Sequence, residues 1–436
     1  MTNAEATKKY TNAELTKKYK EFLYPSVITY YAEPLPLVSG KGCRVYDAEG
    51  NEYLDFFGGI LTVSVGHSNP AVIDRTAAQL KKLQHVSTLY PTAPAAELAE
   101  RLAGITPGDI KKSFFTNSGS EADEMAVLTA QHYTGAQEII ALRHSYSGRS
   151  LLTMNMTAHS NWRVSRTLVA GIKHAHAAYC YRCPFKLNYP ACDMACAHDL
   201  EELIQTETCG KIAALLAEPI LGVGGFVVPP KEYFKVVVDI VHKYGGLFIA
   251  DEVQTGWGRT GGKWFGIEHF GVVPDIMTSA KGMANGIPIG WTATTAKIAE
   301  SLKGLTISTF GGNPVSCAAA HATIDYINEA KIMDNVTKMG DYLRGEMLAM
   351  QKEFKCIGDV RGMGLMIGVE LVSDRKTKAP DAKAVVKIFE ETKKDGLLIG
   401  KGGLYGNVLR ISPPMNVTKA EIDEALKTLH KAFKTI

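Results

Sequence analysis

The sequence predicts an α/β fold: a large domain on a mostly parallel sheet with crossover helices, joined to a smaller α+β domain. Three observations predict it. From about residue 40 to 315, short apolar runs alternate with helix-like stretches. After about residue 315 the texture changes to long helical patterns around one strand-rich segment, 358–371. A chain of 436 residues, at roughly 100–200 residues per domain, has room for two or three domains.

The elements follow in order. KKSFFTN (111–117) is a β-prone run, and SEADEMAVLTAQHY (120–133) carries helical spacing at Ala122, Met125, Ala126, Ala130 and Tyr133. EIIAL (138–142), KIAALLAEP (211–219), GGLFIAD (245–251) and PDIMTSA (274–280) are further short apolar runs, with a helix-like stretch at 231–244. Strands separated by helices cannot pair as hairpins, so the sheet is parallel. A helical pattern spans 313–351. At the C-terminus, Thr418 and Glu421 form a capping box ahead of Ile422, Leu426, Leu429, Phe433 and Ile436. The expected organisation is a flexible tail (1–20), an N-terminal segment packing with the small domain (21–65), a large domain (66–325) and a small C-terminal domain (326–436). No low-complexity linker separates them, so tight docking is expected.

Charge is nearly balanced, 48 Lys and Arg against 45 Asp and Glu. The excess of three sits in residues 1–20, where Lys8, Lys9, Lys17, Lys18 and Lys20 face Glu5 and Glu14, leaving 43 of each sign beyond. A nucleic-acid binder would show a basic body, so that class is excluded. The tail is a near-repeat: residues 2–10 read TNAEATKKY and residues 11–19 read TNAELTKKY. Two nine-residue copies are too short for a solenoid, and a frayed terminus is expected. No apolar run is long enough to cross a membrane, and no apolar h-region opens the chain. Eight cysteines are too sparse for a disulfide scaffold. A cytoplasmic location is the expectation.

In open parallel sheets, ligands bind beyond the carboxyl ends of the strands. After 111–117 come Ser118, Gly119 and Ser120, opening a helix whose free N–H groups suit a phosphate. After 138–142 come Tyr146 and Arg149. Glu218 ends 211–219. Asp251 ends 245–251, with Glu252 and Gln254 beyond. Lys281 follows 274–280. A lysine amine condenses with an aldehyde cofactor, and a carboxylate keeps a pyridine nitrogen protonated so that the ring is an electron sink. A helix start holds a phosphate, and an aromatic ring stacks. Together these are the requirements of pyridoxal 5′-phosphate. Each alone is weak, since a strand-end lysine is commonly a solvated loop residue and a strand-end Asp a turn residue.

The run LFIADEVQTGWGRTGGKWFGIEHFGVVPDIMTSAKGMANGIPIG (247–290) resembles the pyridoxal-phosphate attachment signature of the class III (subgroup II) aminotransferases. FFTNSGSEADE (114–124), LAEPILGVGG (216–225), STFGGNP (308–314) and LRISPP (409–414) support that resemblance, which covers about 25–434. It implies fold type I with a seven-stranded sheet. It implies that Lys281 holds the cofactor and shuttles a proton, and that Asp251 partners the pyridine nitrogen. Gln254 would bond the ring hydroxyl, Val253 and Tyr146 would press on the two ring faces, and Gly119 and Ser120 would bind the phosphate. Thr309 would reach the phosphate of the other subunit, implying a homodimer or a dimer of dimers. Arg410 would clamp a substrate carboxylate, and Glu218 would pair with Arg410 when none is bound. Arg149 stands where some relatives hold a distal carboxylate, and Leu61 where some amine-accepting relatives carry a large aromatic. The chain departs from the pattern at Ser147 (often His), Asp123 (often Asn or another small residue) and Trp257 (usually Phe).

The implied activity is transfer of an amino group to a 2-oxo acid such as pyruvate or glyoxylate. The donor is an amine or an amino acid: a β- or ω-amino acid, alanine or a primary amine. The sequence sits nearest the alanine–glyoxylate and ω-transaminase branch. The alternative is a phospho-lyase acting on a phosphorylated amino alcohol. It needs a further cationic pocket, for which only Arg149 and Arg182 stand near the site loops. A non-catalytic binding protein predicts loss of Lys281 or Asp251, and both are present. His174, His176, Cys180, Cys183, Cys192 and Cys196 crowd together. They resemble a zinc knuckle or a disulfide pair, but buried thiols in an excursion loop are the commoner case, and no metal is expected.

Overall fold

The computed structural model describes residues 10–164 and 168–436. Its first element is a helix, Asn12–Phe22, built from the second nonapeptide copy. The Thr11 hydroxyl accepts from the Glu14 N–H, and the Glu14 carboxylate accepts from the Thr11 N–H at 2.9 Å. Asn12 ties the helix down: its amide donates to Asp47 at 2.9 Å and its side-chain oxygen accepts from the Ala48 N–H at 3.1 Å. Residues 11–20 of the expected tail thus hold a capped helix hydrogen-bonded to the loop at Asp47 and Ala48. Residues 1–9 lie outside the described residues.

The chain then forms β1 (Leu37–Lys41), β2 (Arg44–Asp47) and β3 (Glu52–Asp55) in antiparallel order. The large sheet comprises β4 (Lys112–Thr116), β5 (Ile139–Leu142), β6 (Ile172–Ala175), β7 (Ala214–Ala217), β8 (Leu247–Asp251), β9 (Ile276–Ser279) and β10 (Gly290–Thr294). Its spatial order is β4-β10-β9-β8-β7-β5-β6. Only β10 runs antiparallel to its neighbours. This is the seven-stranded, mostly parallel sheet of the expected fold class. Strands β5, β7, β8 and β9 are buried throughout, as a sheet covered on both faces requires. Helix Gly119–Thr134 supplies Ala122, Ala126, Val127 and Ala130 to one face. Helix Tyr233–Lys243 buries Phe234, Val237 and Val241. β6 and β10 lacked a clear apolar run and are additions to the sequence reading.

The helical pattern at 313–351 is two helices, Pro314–Glu329 and Ile332–Glu353. Lys331 separates them at φ 50°, a left-handed conformation that no helix interior holds. The break thus falls at 330–331, and the first helix runs through the expected boundary at 325. Beyond it, β11 (Ile357–Met363), β12 (Met366–Asp374), β13 (Ala379–Pro380), β14 (Leu397–Leu398), β15 (Gly400–Gly402) and β16 (Val408–Ile411) follow. Four of them form a sheet in the order β11-β12-β16-β15, with β13 on β12. β14 pairs in parallel with β3, Leu397 opposite Leu54, so the N-terminal segment shares a sheet with the C-terminal part. The final helix, Lys419–Phe433, starts at the expected box, the Glu421 carboxylate accepting from the Thr418 N–H at 2.8 Å.

Buried Glu370 on β12 joins the two parts. It accepts from the Tyr179 hydroxyl, from Arg182 and, at 2.7 Å, from Arg361. Arg361 also donates to the Gly225 carbonyl at 3.0 Å. Among the described residues no helix is long and apolar enough to cross a membrane.

Candidate active site

Register gathers the site. Ala217 pairs with Ala250, and Asp251 with Thr278, so Glu218, Asp251 and Lys281 leave the sheet along one edge. They line one cavity of about 290 Å³ together with Gly119, Ser120, Tyr146, Arg149, Val253 and Gln254. Most of the residues read at the strand ends therefore meet in one place. Asp123, Thr62 and Ser147 also line it. Asp123 and Ser147 are two of the departures from the family pattern noted in the sequence, whereas nothing in the sequence singled out Thr62.

Each wall has a local cause. Ser118 caps the helix Gly119–Thr134 by accepting from the Glu121 N–H, which leaves the Gly119 and Ser120 N–H groups facing the cavity. Gly119 admits close packing: a Cβ there would lie 3.0 Å from a Val253 methyl. Val253 is set by its own N–H, which donates to Asp251 Oδ1 at 3.0 Å. Glu252 is buried and accepts from the Gly266 and Ile267 N–H groups at 2.8 and 2.7 Å, pinning the loop after β8. The Trp257 departure is accommodated, because its indole N–H donates to Ser279 Oγ at 2.8 Å. The Ser147 N–H donates to Thr157 Oγ1 at 3.0 Å. Trp162 meets the Tyr146 ring edge-on at 5.7 Å between centroids.

Lys281 sits at φ 39°, a strained conformation for a residue with a side chain, at the start of the turn Lys281–Ala284. Burial pulls its ammonium below the usual lysine range, opposed by the negative charges of Asp251 and Glu218. Burial pushes the Asp251 carboxyl up, opposed by the Val253 N–H and by Lys281. The lysine and this aspartate are thus each other's electrostatic support.

The expected Glu218–Arg410 pair and the expected wall position of Leu61 are not what the structure holds. Glu218 does not pair with Arg410. Its oxygens accept from the Tyr146 N–H at 3.0 Å and the Gly222 N–H at 2.7 Å. Arg410 instead donates to Gln254 Oε1 at 2.7 Å, with its guanidinium over the rings of Phe57 and Phe226. Leu61 is not on the cavity wall. It is buried beside Phe57, Ile220, Phe226 and Met366, and the next residue, Thr62, takes the wall position. Thr309 is exposed and lies outside this chain's own cavity. Arg182, bound to Glu370, is also outside it.

All eight cysteines are free thiols. Cys180, Cys183, Cys192 and Cys196 line one small cavity away from the site. Among the described residues no group of three or more His, Cys, Asp or Glu side chains is placed to hold a metal ion.

Free helix N–H groups, an apolar residue and an aromatic ring, a buried carboxylate and a desolvated lysine fit pyridoxal 5′-phosphate. Fold and site define a pyridoxal-phosphate enzyme of fold type I. Within that class, the chain belongs to the family described as aminotransferase class-III, whose family model matches residues 29–433. It is 44% identical over 405 residues to the mitochondrial alanine–glyoxylate aminotransferase 2 homolog 2 of Arabidopsis thaliana, covering 93% of this chain and 84% of that one. An aminotransferase of Bacillus anthracis has the same fold, with TM-score 0.92 and 31% identity over 97% of this chain and 98% of that one. An amine transaminase from an uncultivated Pseudomonas species, in its pyridoxal-phosphate-bound form, gives TM-score 0.89 and 31% identity over 95% and 98%. The protein is a transferase that moves an amino group with pyridoxal phosphate as cofactor.

Proposed function

We propose that the protein transfers an amino group from alanine, a β- or ω-amino acid or a primary amine to pyruvate or glyoxylate. The observation that carries this reading is the meeting of Lys281 and Asp251 in one cavity also lined by Tyr146 and Arg149. The name of the Arabidopsis relative supports alanine and glyoxylate as one pair.

The cofactor, when bound, supplies a carbonyl for the amine and a ring that accepts electrons. Everything else falls to the chain. Gly119 and Ser120 hold the phosphate through backbone N–H groups. Asp251 fixes the proton on the ring nitrogen. Val253 and Tyr146 confine the ring faces. Lys281 would hold the cofactor through its amine and, once released, its Nζ would accept the proton leaving the substrate Cα, a role that suits an amine whose burial favours the uncharged form. Arg410 binds a substrate carboxylate through its bidentate fork and gives up Gln254 to do so. Gln254 is then free to meet the ring hydroxyl.

A homodimer is part of this reading. Leu89, Tyr90, Leu305, Ile307 and Phe310 are exposed. Tyr90 and Ile307 line a concavity of about 470 Å³ beside the loop of Thr309. Such an apolar patch suits a second copy, which would receive Thr309 at its phosphate. A cytoplasmic location agrees with eight free thiols, whereas the Arabidopsis relative is described as mitochondrial, and cell fractionation decides between them.

The test is an absorbance titration. The resting enzyme should absorb near ~410–420 nm, as expected of a lysine-bound cofactor. A good donor should bleach the band, and pyruvate or glyoxylate should restore it. Phosphate release from a phosphorylated amino alcohol without bleaching would indicate the lyase. Against that reading, the guanidinium of Arg182 is committed to Glu370.

A further inference from the structure

Asp251 is not the only carboxyl on the wall of the cofactor cavity: Glu218 and Asp123 line it too. Asp123, on the first turns of the helix Gly119–Thr134, is buried and lines the cavity with Asp251. Its Oδ1 accepts from the Thr278 hydroxyl at 2.6 Å. Thr278 on β9 is the register partner of Asp251 on β8. One threonine therefore locks the Asp123 side chain next to the strand pair that presents Asp251. The groups facing Asp123 can be named from each packed element. β8 offers Asp251, the end of β7 offers Glu218, and the turn after β9 offers Lys281, while β10 offers only the Thr292 hydroxyl, which donates to the Ala122 carbonyl at 2.8 Å.

Three carboxyls thus share one lysine. The hydrogen bonds divide their roles. Burial pushes Glu218 up to about 8 and Asp251 up to about 6, opposed by the two backbone N–H groups that Glu218 accepts and the one that Asp251 accepts. Asp251 is therefore the carboxyl of the two that is charged at neutral pH. Asp123 has a single hydroxyl donor, so its second oxygen is free to carry a proton. Burial and the neighbouring negative charge of Asp251 both push its carboxyl well above the usual range.

We propose that Asp123 is a positioning residue of the cofactor site: held by Thr278 beside the strand that presents Asp251, it stays a neutral acid and leaves Asp251 as the carboxylate for the pyridine nitrogen. A second full charge there would be repelled at close range in a dry pocket. A neutral acid keeps Asp251 in place and leaves one negative charge against one pyridinium. The proposal rests on the reading of Asp251 as that nitrogen's partner.

The test uses infrared difference spectra of the full-length holoenzyme near neutral pH, wild type minus Asp123→Asn. Asn keeps an acceptor for the Thr278 hydroxyl and the size of the side chain, so the variant should fold. The difference should contain the C=O stretch of a protonated carboxylic acid. A carboxylate band in its place overturns the proposal. In turnover, Asp123→Asn should lower kcat by less than about tenfold, the scale of one altered hydrogen bond. Asp251→Asn should lower it by at least about a hundredfold. A loss in Asp123→Asn equal to that in Asp251→Asn would mean that Asp123 acts as a charge, which also overturns the proposal. Full activity in Asp251→Asn would instead defeat the reading of Asp251 and leave the infrared result standing by itself.

Discussion

Arg410 Nη2 lies 2.7 Å from Gln254 Oε1, while Glu218 is held by two backbone N–H groups. The arginine's resting partner is therefore a neutral amide on the cofactor's own loop. A neutral partner is displaced by a carboxylate more readily than a charged one, because no ion pair has to be broken. Arg410→Lys should raise KM for carboxylate-bearing donors by about 10–100-fold, the scale of a charged hydrogen bond. Its effect on a simple primary amine should be smaller. Steady-state kinetics with alanine and with an uncharged amine measure the split.

Lys281→Ala should abolish the visible band and cut turnover by at least about 10³-fold, since it removes both the anchor and the proton carrier. Retained turnover would defeat the assignment. Stopped-flow absorbance after adding donor reads both effects.

If Thr309 crosses to the other subunit, inactive variants should complement. Thr309→Ala and Lys281→Ala protomers, mixed and reassembled, should form hybrids in which one of the two sites has both residues. Activity well above that of either parent is expected. No gain on mixing would place Thr309 outside the phosphate site.

Glu370 offers a pH-linked stability test. It is buried, yet Arg361, the Tyr179 hydroxyl and Arg182 outweigh the burial and hold its carboxyl below the usual glutamate range. A folded value below the unfolded one means stability that is full above the unfolded pKa and is lost as pH falls through the folded value. Glu370→Gln should cost about 3 kcal/mol near neutral pH by removing the buried carboxylate that Arg182 and Arg361 share, although Arg361 keeps its ion pair with Asp359. The difference from wild type should shrink in acid. Denaturant melts at neutral and acidic pH check both statements.

Much of the site was legible because strand ends carry chemistry and apolar runs mark strands. Glu218, Asp251 and Lys281 could be aligned without coordinates for that reason. β6 was hidden because IKHA lies at the sheet edge, with only Ala175 fully buried. β10 was hidden because GWTAT fills a buried strand with small and hydroxyl-bearing residues rather than an apolar run. The helix break at Lys331 has no Gly or Pro to announce it. The Arg410–Gln254 bond joins β16 to the loop after β8, a tertiary fact that no local pattern encodes.

The capped helix Asn12–Phe22 has a consequence for the duplicated nonapeptide. Its anchoring groups, Thr11, Asn12 and Glu14, are matched in the first copy by Thr2, Asn3 and Glu5. Excising residues 11–19 would slide the first copy into the same frame ahead of Lys20, with alanine in place of Leu15 as the one altered side chain. The first copy thus repeats the residue types by which the second is anchored. Loss of either copy by replication slippage would leave the Asp47 anchor with a matching asparagine, so the redundancy is free to drift without consequence for the site.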